Sequence, residues 1–302
     1  LKEKRRADFI QRVESYDPDT GKAIVCLEPD PRRYDKGEDQ GGTYYVDKFL
    51  KVKVYLDELL SGFGPGVPMY AMGPSVKSAT EYVEARSSSL DEELEVGEYR
   101  PPSESAKPQS DLSADEEGKD FGFISLDICG STALRSSDSQ AFDRSYEMLI
   151  REMGSLVGHF NGAILKTTGD GFIAYIDHPS FTNLCDSLVD LGVSCIQLLR
   201  ESINPALEKR SLPKLDVRVG ADYGFAVVRR VTVPITGYSS IDVYGDALNR
   251  AVKIEQSCPP NEMRIGFDLY KLVHVGWLER AFEVPESGRP TSLGSYKVFR
   301  IS

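Results

Sequence analysis

The sequence predicts an α+β fold: a ferredoxin-like βαββαβ layer over residues 120–302, preceded by a smaller N-terminal region. Three observations carry this reading. From Phe121 onward the segments alternate as strand, helix, strand, strand, helix, strand, the order of a split βαβ sheet with helices on one face. Each helical segment shows a single apolar stripe at three- and four-residue spacing. Residues 86–119 shift to Ser, Pro, Glu and Asp, with Pro101-Pro102 and Asp115 to Glu117, and bury too little apolar surface to offset the entropy of ordering. The chain therefore divides into a small region of unassigned role at 1–85, a linker at 86–119 and a larger domain at 120–302.

Lys2, Lys4, Arg5 and Arg6 open the chain, and Phe9, Ile10 and Val13 share a helical face. This predicts a short amphipathic helix over residues 1–16, with a solvated charged end as the alternative. Asp17-Pro18-Asp19-Thr20-Gly21 reads as a turn, and the apolar, partly β-branched run Ala23 to Leu27 as a strand. Tyr44 and Tyr45 look like strand residues, whereas Leu50, Val54, Tyr55, Leu59 and Leu60 fall near helical spacing. Gly62 to Gly66 contains Pro65 and no following Lys-Ser or Lys-Thr, so it reads as a turn and not as a phosphate loop.

In the larger domain an apolar strand ends at Asp127. Phe142, Tyr146, Leu149, Met153, Leu156 and Phe160 then form the stripe of a first helix. Strands at Ile164 to Thr168 and Phe172 to Ile176 flank Gly169-Asp170-Gly171. A second helix carries Leu184, Leu188, Leu191, Cys195 and Leu198 and should stop near Pro205. Leu215, Val217 and Val219 alternate with Asp216 and Arg218 as a half-buried strand, and Phe225 to Val228 is expected to be its hairpin partner. A strand at Met263 to Gly266, a helix at Phe267 to Val273 and a strand at Ser295 to Ile301 complete the layer.

The formal charge of -11 argues against a nucleic-acid groove, which needs a basic stripe, and against an anionic membrane surface. A polyanionic substrate must be met by local positive charge or by metal. The five cysteines are odd in number and widely spaced, and they form no zinc pattern with the three histidines. Free thiols in a reducing compartment account for them. The chain has no apolar run of membrane-spanning length and no secretory leader, so a soluble cytoplasmic protein is expected.

Asp127 and Asp170 close the ends of what should be neighbouring strands. Singly, Asp127 is a strand end and Asp170-Gly171 a favoured hairpin connection. Together they suit hard divalent cations, since Mg²⁺ is held by one or two carboxylates plus substrate phosphates. Two such ions about 4 Å apart can activate an attacking oxygen and clamp phosphates. The pair thus points to phosphoryl or nucleotidyl chemistry.

Four stretches, in order, resemble the class III nucleotidyl cyclases, the adenylate and guanylate cyclase catalytic domains. They are Phe123 to Thr132, Leu165 to Gly171, Val217 to Gly224 and Ile241 to Lys253. The resemblance covers about Phe121 to Ile301 and implies conversion of a nucleoside triphosphate to a 3′,5′-cyclic nucleotide and pyrophosphate. It implies that Asp127, Asp170 and the carbonyl of Ile128 hold two Mg²⁺ or Mn²⁺ ions. It also implies that Lys166 and Asp242 read the base and that Asn249 orients the ribose. Without the resemblance, Lys166 and Asp242 read as surface charges on strands. The sites are expected between the two subunits of a homodimer, each subunit supplying half of each site.

The sequence departs from the family pattern at Lys253, where an arginine usually stabilises charge on the α-phosphate; Arg250 lies nearby as a substitute. Lysine offers a point charge without the bidentate fork. Tyr244 replaces a usual tryptophan. ATP is the first substrate expected. UTP or CTP, as in bacterial antiphage signalling, GTP, or a degenerate domain that only binds nucleotide or dimerises are the alternatives. Arg289 and Lys297 are further candidates for contacts to the β- and γ-phosphates.

Overall fold

The computed structural model describes residues 4–20, 22–60, 78–96, 107–109 and 112–302. The expected turn at Gly62 to Gly66 lies outside them, as do residues 97–106 and 110–111 of the expected linker. The chain forms two compact units, one of residues 1–71 with 271–279, the other of 72–270 with 280–302.

In the first unit, strand β1 (Phe9–Asp17) pairs antiparallel with β2 (Lys22–Pro29). Strands β3 (Tyr34–Asp39), β4 (Gly42–Asp47) and β5 (Lys53–Tyr55) form a three-stranded sheet, followed by the short helix α1 (Leu56–Leu60). Tyr34, Tyr45, Val54 and Leu59 make its core, with Phe9 and Leu56 packed against them. Arg33 is fully buried and is neutralised by Asp8 at 2.9 Å and Asp47 at 2.8 Å, as a buried cation requires.

The helix expected over residues 1–16 is not formed; Phe9–Asp17 is a strand. Asp17 accepts from the Asp19 amide at 2.9 Å and from the Thr20 hydroxyl at 2.5 Å, and this turn chemistry folds β2 back onto β1. A bulge between Val13 and Ser15 breaks the two-residue alternation that marks a strand.

The second unit is built on an eight-stranded sheet of β6 (Asp115–Ile128), β7 (Ala163–Thr167), β8 (Gly171–Ile176), β9 (Val217–Val233), β10 (Tyr238–Tyr244), β11 (Glu262–Gly266), β12 (Ala281–Glu283) and β13 (Val298–Ile301). Its order is β12-β13-β11-β9-β6-β8-β7, with β10 added to β9. The inner run β9-β6-β8-β7 is the expected ferredoxin-like layer. All pairs are antiparallel except β11 with β9.

The helices are α2 (Ala79–Val96), α3 (Ser131–Ser137), α4 (Ser139–His159), α5 (Phe181–Leu198), α6 (Asn204–Lys209), α7 (Asp246–Gln256) and α8 (Phe267–Tyr270). The Asp138 carboxylate caps α4 by accepting from the Ala141 amide at 2.9 Å. Phe142, Leu149, Met153 and Leu156 are buried along α4 as the stripe predicts. Val219 faces α5 at Gly192, whereas Gly220 faces α7. Successive strand residues point to opposite faces, so α5 and α7 lie on opposite sides of the sheet. No described helix is long and apolar enough to cross a membrane.

Several expected boundaries move. The helical path of α5 does not stop near Pro205; it runs through one π-helical turn, Leu199–Ile203, into α6. Pro205 occupies the first turn of α6, where a missing amide hydrogen costs little. Phe225 to Val228 is not a hairpin partner, because β9 runs unbroken to Val233 and reverses at Pro234–Thr236, where Gly237 has φ 72. Residues 86–96, expected as linker, form the second part of α2. There Leu90 is buried, and Arg86 is clasped by Glu93 at 2.8 Å and Glu152 at 2.7 Å. A buried ion pair anchors this polar helix, which composition alone does not register. α8 ends at Tyr270, short of Val273, and β13 begins at Val298.

At Gly220 a Cβ would overlap the amide nitrogen of Glu255 and the carbonyl of Ala251. Backbone cannot yield as a side chain can, so Gly220→Ala must push α7 off the sheet. The expected loss is about 1–3 kcal/mol or more, read as a lower midpoint of urea unfolding. An unchanged midpoint would contradict this close packing.

Candidate functional site

Asp127, the next-to-last residue of β6, lies in register with Gly171 on β8 and with Arg218 on β9. A Cβ at Gly171 would overlap the Leu126 carbonyl, so the absent side chain lets β8 lie against the end of β6. Gly169, with φ 89, makes the left-handed turn just before it, and the Thr168 amide closes that turn on the Gly171 carbonyl at 3.0 Å. Asp170, between these glycines, is thereby carried to Asp127. The two carboxyl groups lie close enough that each shifts the titration of the other.

Their surroundings divide the pair. Burial pushes the Asp127 carboxyl above its ordinary value; Arg218 opposes the rise and Asp170 adds to it. Asp170 is also partly buried, but the hydroxyl of Ser131 and the neighbouring Asp127 hold it below the ordinary value. Two carboxylates this close share a proton unless positive charge is supplied. Arg218 supplies some, donating from Nη2 to Asp127 Oδ2 at 2.5 Å. Its Nε lies 3.2 Å from Glu255 Oε1 on α7, although the two are not aligned as a hydrogen bond. Burial pushes Glu255 up to about 7, with Asp127 and Asp170 adding and Arg218 and Ser125 opposing.

The acidic pair fits a divalent cation by its chemistry, since it sets two close carboxylate groups in a half-buried site. Among the described residues no group of three His, Cys, Asp or Glu side chains is arranged to hold a metal ion. A cation at Asp127 and Asp170 would complete its shell from backbone, phosphate or water. Ile128, whose carbonyl is the third expected ligand, directly follows Asp127 and has a buried side chain.

The structure brings Asp127, Ile128 and Asp170 together and places the other expected residues elsewhere. Lys166 is exposed on β7 and Asp242 is exposed on β10. Their neighbours Leu165 and Ile241 pack against one apolar cluster. Among the described residues the Asp242 carboxylate accepts only from the following amide, Val243, at 2.9 Å. Asn249 is exposed on α7 and Lys253 half-buried; four residues apart, they share one side of the helix. Among the described residues Lys166, Asn249 and Lys253 make no side-chain hydrogen bond or ion pair.

Arg250 is committed elsewhere. Its Nε donates to Asp222, and its Nη2 donates to Asp268 at 2.8 Å and to the Tyr223 carbonyl at 3.3 Å. The Tyr296 hydroxyl also donates to Asp222, at 2.9 Å. Burial pushes Asp222 up to about 6 against the pull of Arg250, which leaves it an anion at neutral pH. Asp222 stands four residues along β9 from Arg218, about 13 Å at the rise of a strand. Arg250 is therefore a structural cation in this chain and not a ready substitute for the missing arginine. Arg289 and Lys297 both pair with Glu283, at 2.6 and 3.1 Å.

Sequence reasoning missed Arg218, Glu255 and Ser131 as neighbours of the acidic pair. Arg218 reads as one polar position of an alternating strand, and only the register with Asp127 reveals it. For Glu255 the available signal is a carboxylate on the buried side of a helix.

Residues 115–294 match the family model of the adenylate and guanylate cyclase catalytic domain. The chain is similar in structure to the guanylyl cyclase Cya2, at 17% identity, over 63% of this chain and 94% of that one, with a TM-score of 0.52. It is equally similar to the adenylyl cyclase CyaB from P. aeruginosa, at 17% identity over 63% of this chain and 96% of that one, TM-score 0.52. At this identity the likeness is one of fold. No curated protein matches the sequence.

Arg250→Ala would leave Asp222 buried without its cation, and the expected cost is about 3–5 kcal/mol. Lys253→Ala removes no partner and should stay within about 0.5 kcal/mol of the parent. Urea unfolding of both variants checks this; equal losses would contradict the division between a structural Arg250 and an unengaged Lys253.

Proposed function

Because the chain belongs to the family of adenylate and guanylate cyclase catalytic domains, we propose that it converts a nucleoside triphosphate, ATP in the first instance, to its 3′,5′-cyclic monophosphate and pyrophosphate. The observation that carries this reading is the meeting of Asp127 and Asp170 where β8 closes on β6 at Gly171. In the reaction the ribose 3′-oxygen bonds to the α-phosphorus, the bond to the β-phosphate oxygen breaks, and pyrophosphate leaves.

A pair of Mg²⁺ or Mn²⁺ ions, when bound, supplies Lewis acidity at the 3′-hydroxyl and charge neutralisation on the phosphates. Asp127, Asp170 and the Ile128 carbonyl are the groups that would hold it. Ser131 orients Asp170 through its hydroxyl. Arg218, the guanidinium beside the acidic pair, is placed to donate to phosphate oxygens in the bidentate manner that arginine favours. Lys166 donates to the base and Asp242 accepts from it, which suits adenine N1 and its amino group. Asn249 orients the ribose, and Lys253 offers a point charge to the α-phosphate.

Among the described residues Lys166, Asn249 and Lys253 have no side-chain partner, and this supports a homodimer in which they serve the partner's acidic pair. The β9–β10 arm supports it too, since Val233, Tyr238 and Ile235 are exposed on it, Ile235 by 95%. A two-fold axis then gives two equivalent sites. Lys253 in place of arginine, with Arg250 committed to Asp222 and Asp268, favours slow turnover or a nucleotide-binding domain as the second reading. Tyr244 in place of tryptophan keeps GTP, UTP and CTP in the assay.

Purified protein with Mn²⁺ and each of four nucleoside triphosphates should yield a cyclic product, assayed by chromatography. Asp127→Asn or Asp170→Asn should lower turnover by about a hundredfold or more, the scale of losing one electrostatic stabiliser. No cyclic product from any of the four overturns the reading. Asp127→Asn and Asn249→Ala, each inactive alone, should regain about a quarter of parental activity on mixing, because half the dimers are mixed and each holds one intact site. A mixture that stays inactive contradicts the shared site.

A further inference from the structure

We propose that the outer edge of β2 is an interface with a second copy of this chain, formed by antiparallel pairing of the two β2 strands about Val25. This surface belongs to the first compact unit, and the proposal does not rest on the cyclase reading. Among the described residues β1 and β2 make a sheet of two strands only, and such a hairpin is marginally stable by itself. Its base is fixed, because Phe9 packs on the core of Tyr34, Tyr45, Val54 and Leu59, and Pro29, its pairing partner, is buried. Beyond the base, Ile24, Val25 and Leu27 stand 63%, 37% and 40% exposed, and Cys26 is exposed between them.

The two edges of the hairpin differ. β1 carries Arg12 and Glu14, and Glu14 is the extra residue of the bulge between Val13 and Ser15. Charge and a bulge are devices that keep an edge strand from pairing. β2 has neither along Ala23 to Leu27: its residues follow one another through the register without a break, and the stretch holds no charge. Among the described residues no strand and no turn bonds its outer side. A regular, apolar edge of this kind is a template for another strand.

The sequence of β2 selects a copy of itself as that strand. It reads Lys22-Ala-Ile-Val-Cys-Leu-Glu28, with a cation and an anion at equal distances on either side of Val25. Antiparallel pairing centred on Val25 sets Lys22 of each strand opposite Glu28 of the other. It also sets Ala23 opposite Leu27, Ile24 opposite Cys26, and Val25 opposite itself. Opposite charges and apolar pairs facing across two strands both stabilise a sheet. A parallel, in-register copy would instead set like charges side by side. The two-fold axis through the Val25 pair makes the contact isologous. The sheet of four strands that results has β1 at both of its edges, where the bulge and the charges end it.

The test uses the full chain as Val25→Cys/Cys26→Ser, Leu27→Cys/Cys26→Ser and Cys26→Ser, oxidised with copper phenanthroline and run on non-reducing gels. Val25→Cys/Cys26→Ser should yield a covalent dimer, since position 25 faces its own copy at about 5 Å, within reach of a disulfide. Leu27→Cys/Cys26→Ser should stay at the background set by Cys26→Ser, because the two positions 27 stand four residues apart along the strands, about 14 Å. Adding Lys22→Glu or Glu28→Lys to the Val25→Cys/Cys26→Ser chain should slow linkage by about fivefold, as like charges then face each other. Mixing those two charge variants should restore it, which also shows that neither has misfolded. Absence of a covalent dimer at position 25, as when a different strand covers the edge, overturns the proposal. Equal linkage at positions 25 and 27, or a mixture of charge variants that stays slow, overturns it too.

Discussion

Two carboxyl groups set close together cannot both stay ionised without positive charge nearby, and the larger unit of this protein is arranged around one such pair. Asp127 lies one residue from the end of β6, and Asp170 is carried to it by a turn that ends at Gly171. The missing side chain at Gly171 is the physical reason the pair exists, because a Cβ there would hold β8 away from β6. Ser131 and Arg218 then divide the pair, Ser131 bonding Asp170 and Arg218 bonding Asp127. Glu255 extends the alternation of charge to α7. Each of these groups is costly to bury alone and tolerable beside its neighbours.

α7 separates structural from chemical charge. Its inward side bears Ala247, Leu248, Ala251, Ile254 and Glu255, packed on the sheet. Arg250 turns to Asp222, Asp268 and Tyr296 and ties the helix to β9 and the C-terminal segment. Asn249, exposed, and Lys253, half-buried, have no side-chain partner among the described residues. A cation committed to a buried carboxylate cannot follow charge that develops on a phosphate. The chemistry proposed for this helix therefore falls on the lysine and the asparagine.

The acidic pair was legible in the sequence, because a strand ending in aspartate and a Gly-Asp-Gly turn are local patterns. The ferredoxin-like order was legible for the same reason, as were the stripe of α4 and the strand at β2. What escaped depends on contacts between distant segments. Arg218 meets Asp127 only through the register of β9 on β6. Gly224 looks like a turn residue, yet it sits inside β9, where a Cβ would crowd Ala247 of α7. Phe9, Ile10 and Val13 suggest a helix, but the Asp17 turn and a bulge make a hairpin. Polar α2 resembles a linker until Arg86 finds Glu93 and Glu152.

The central claim is that Asp127 and Asp170 together seat a pair of divalent cations when nucleotide is present. Its most direct measurement is the number of Mn²⁺ ions bound per chain, counted from the loss of the free-ion paramagnetic resonance signal with a 3′-deoxynucleoside triphosphate bound. The account predicts two ions per chain and their loss in the Asp127→Ala/Asp170→Ala variant. Mn²⁺ binding that is the same in that variant as in the parent would contradict it.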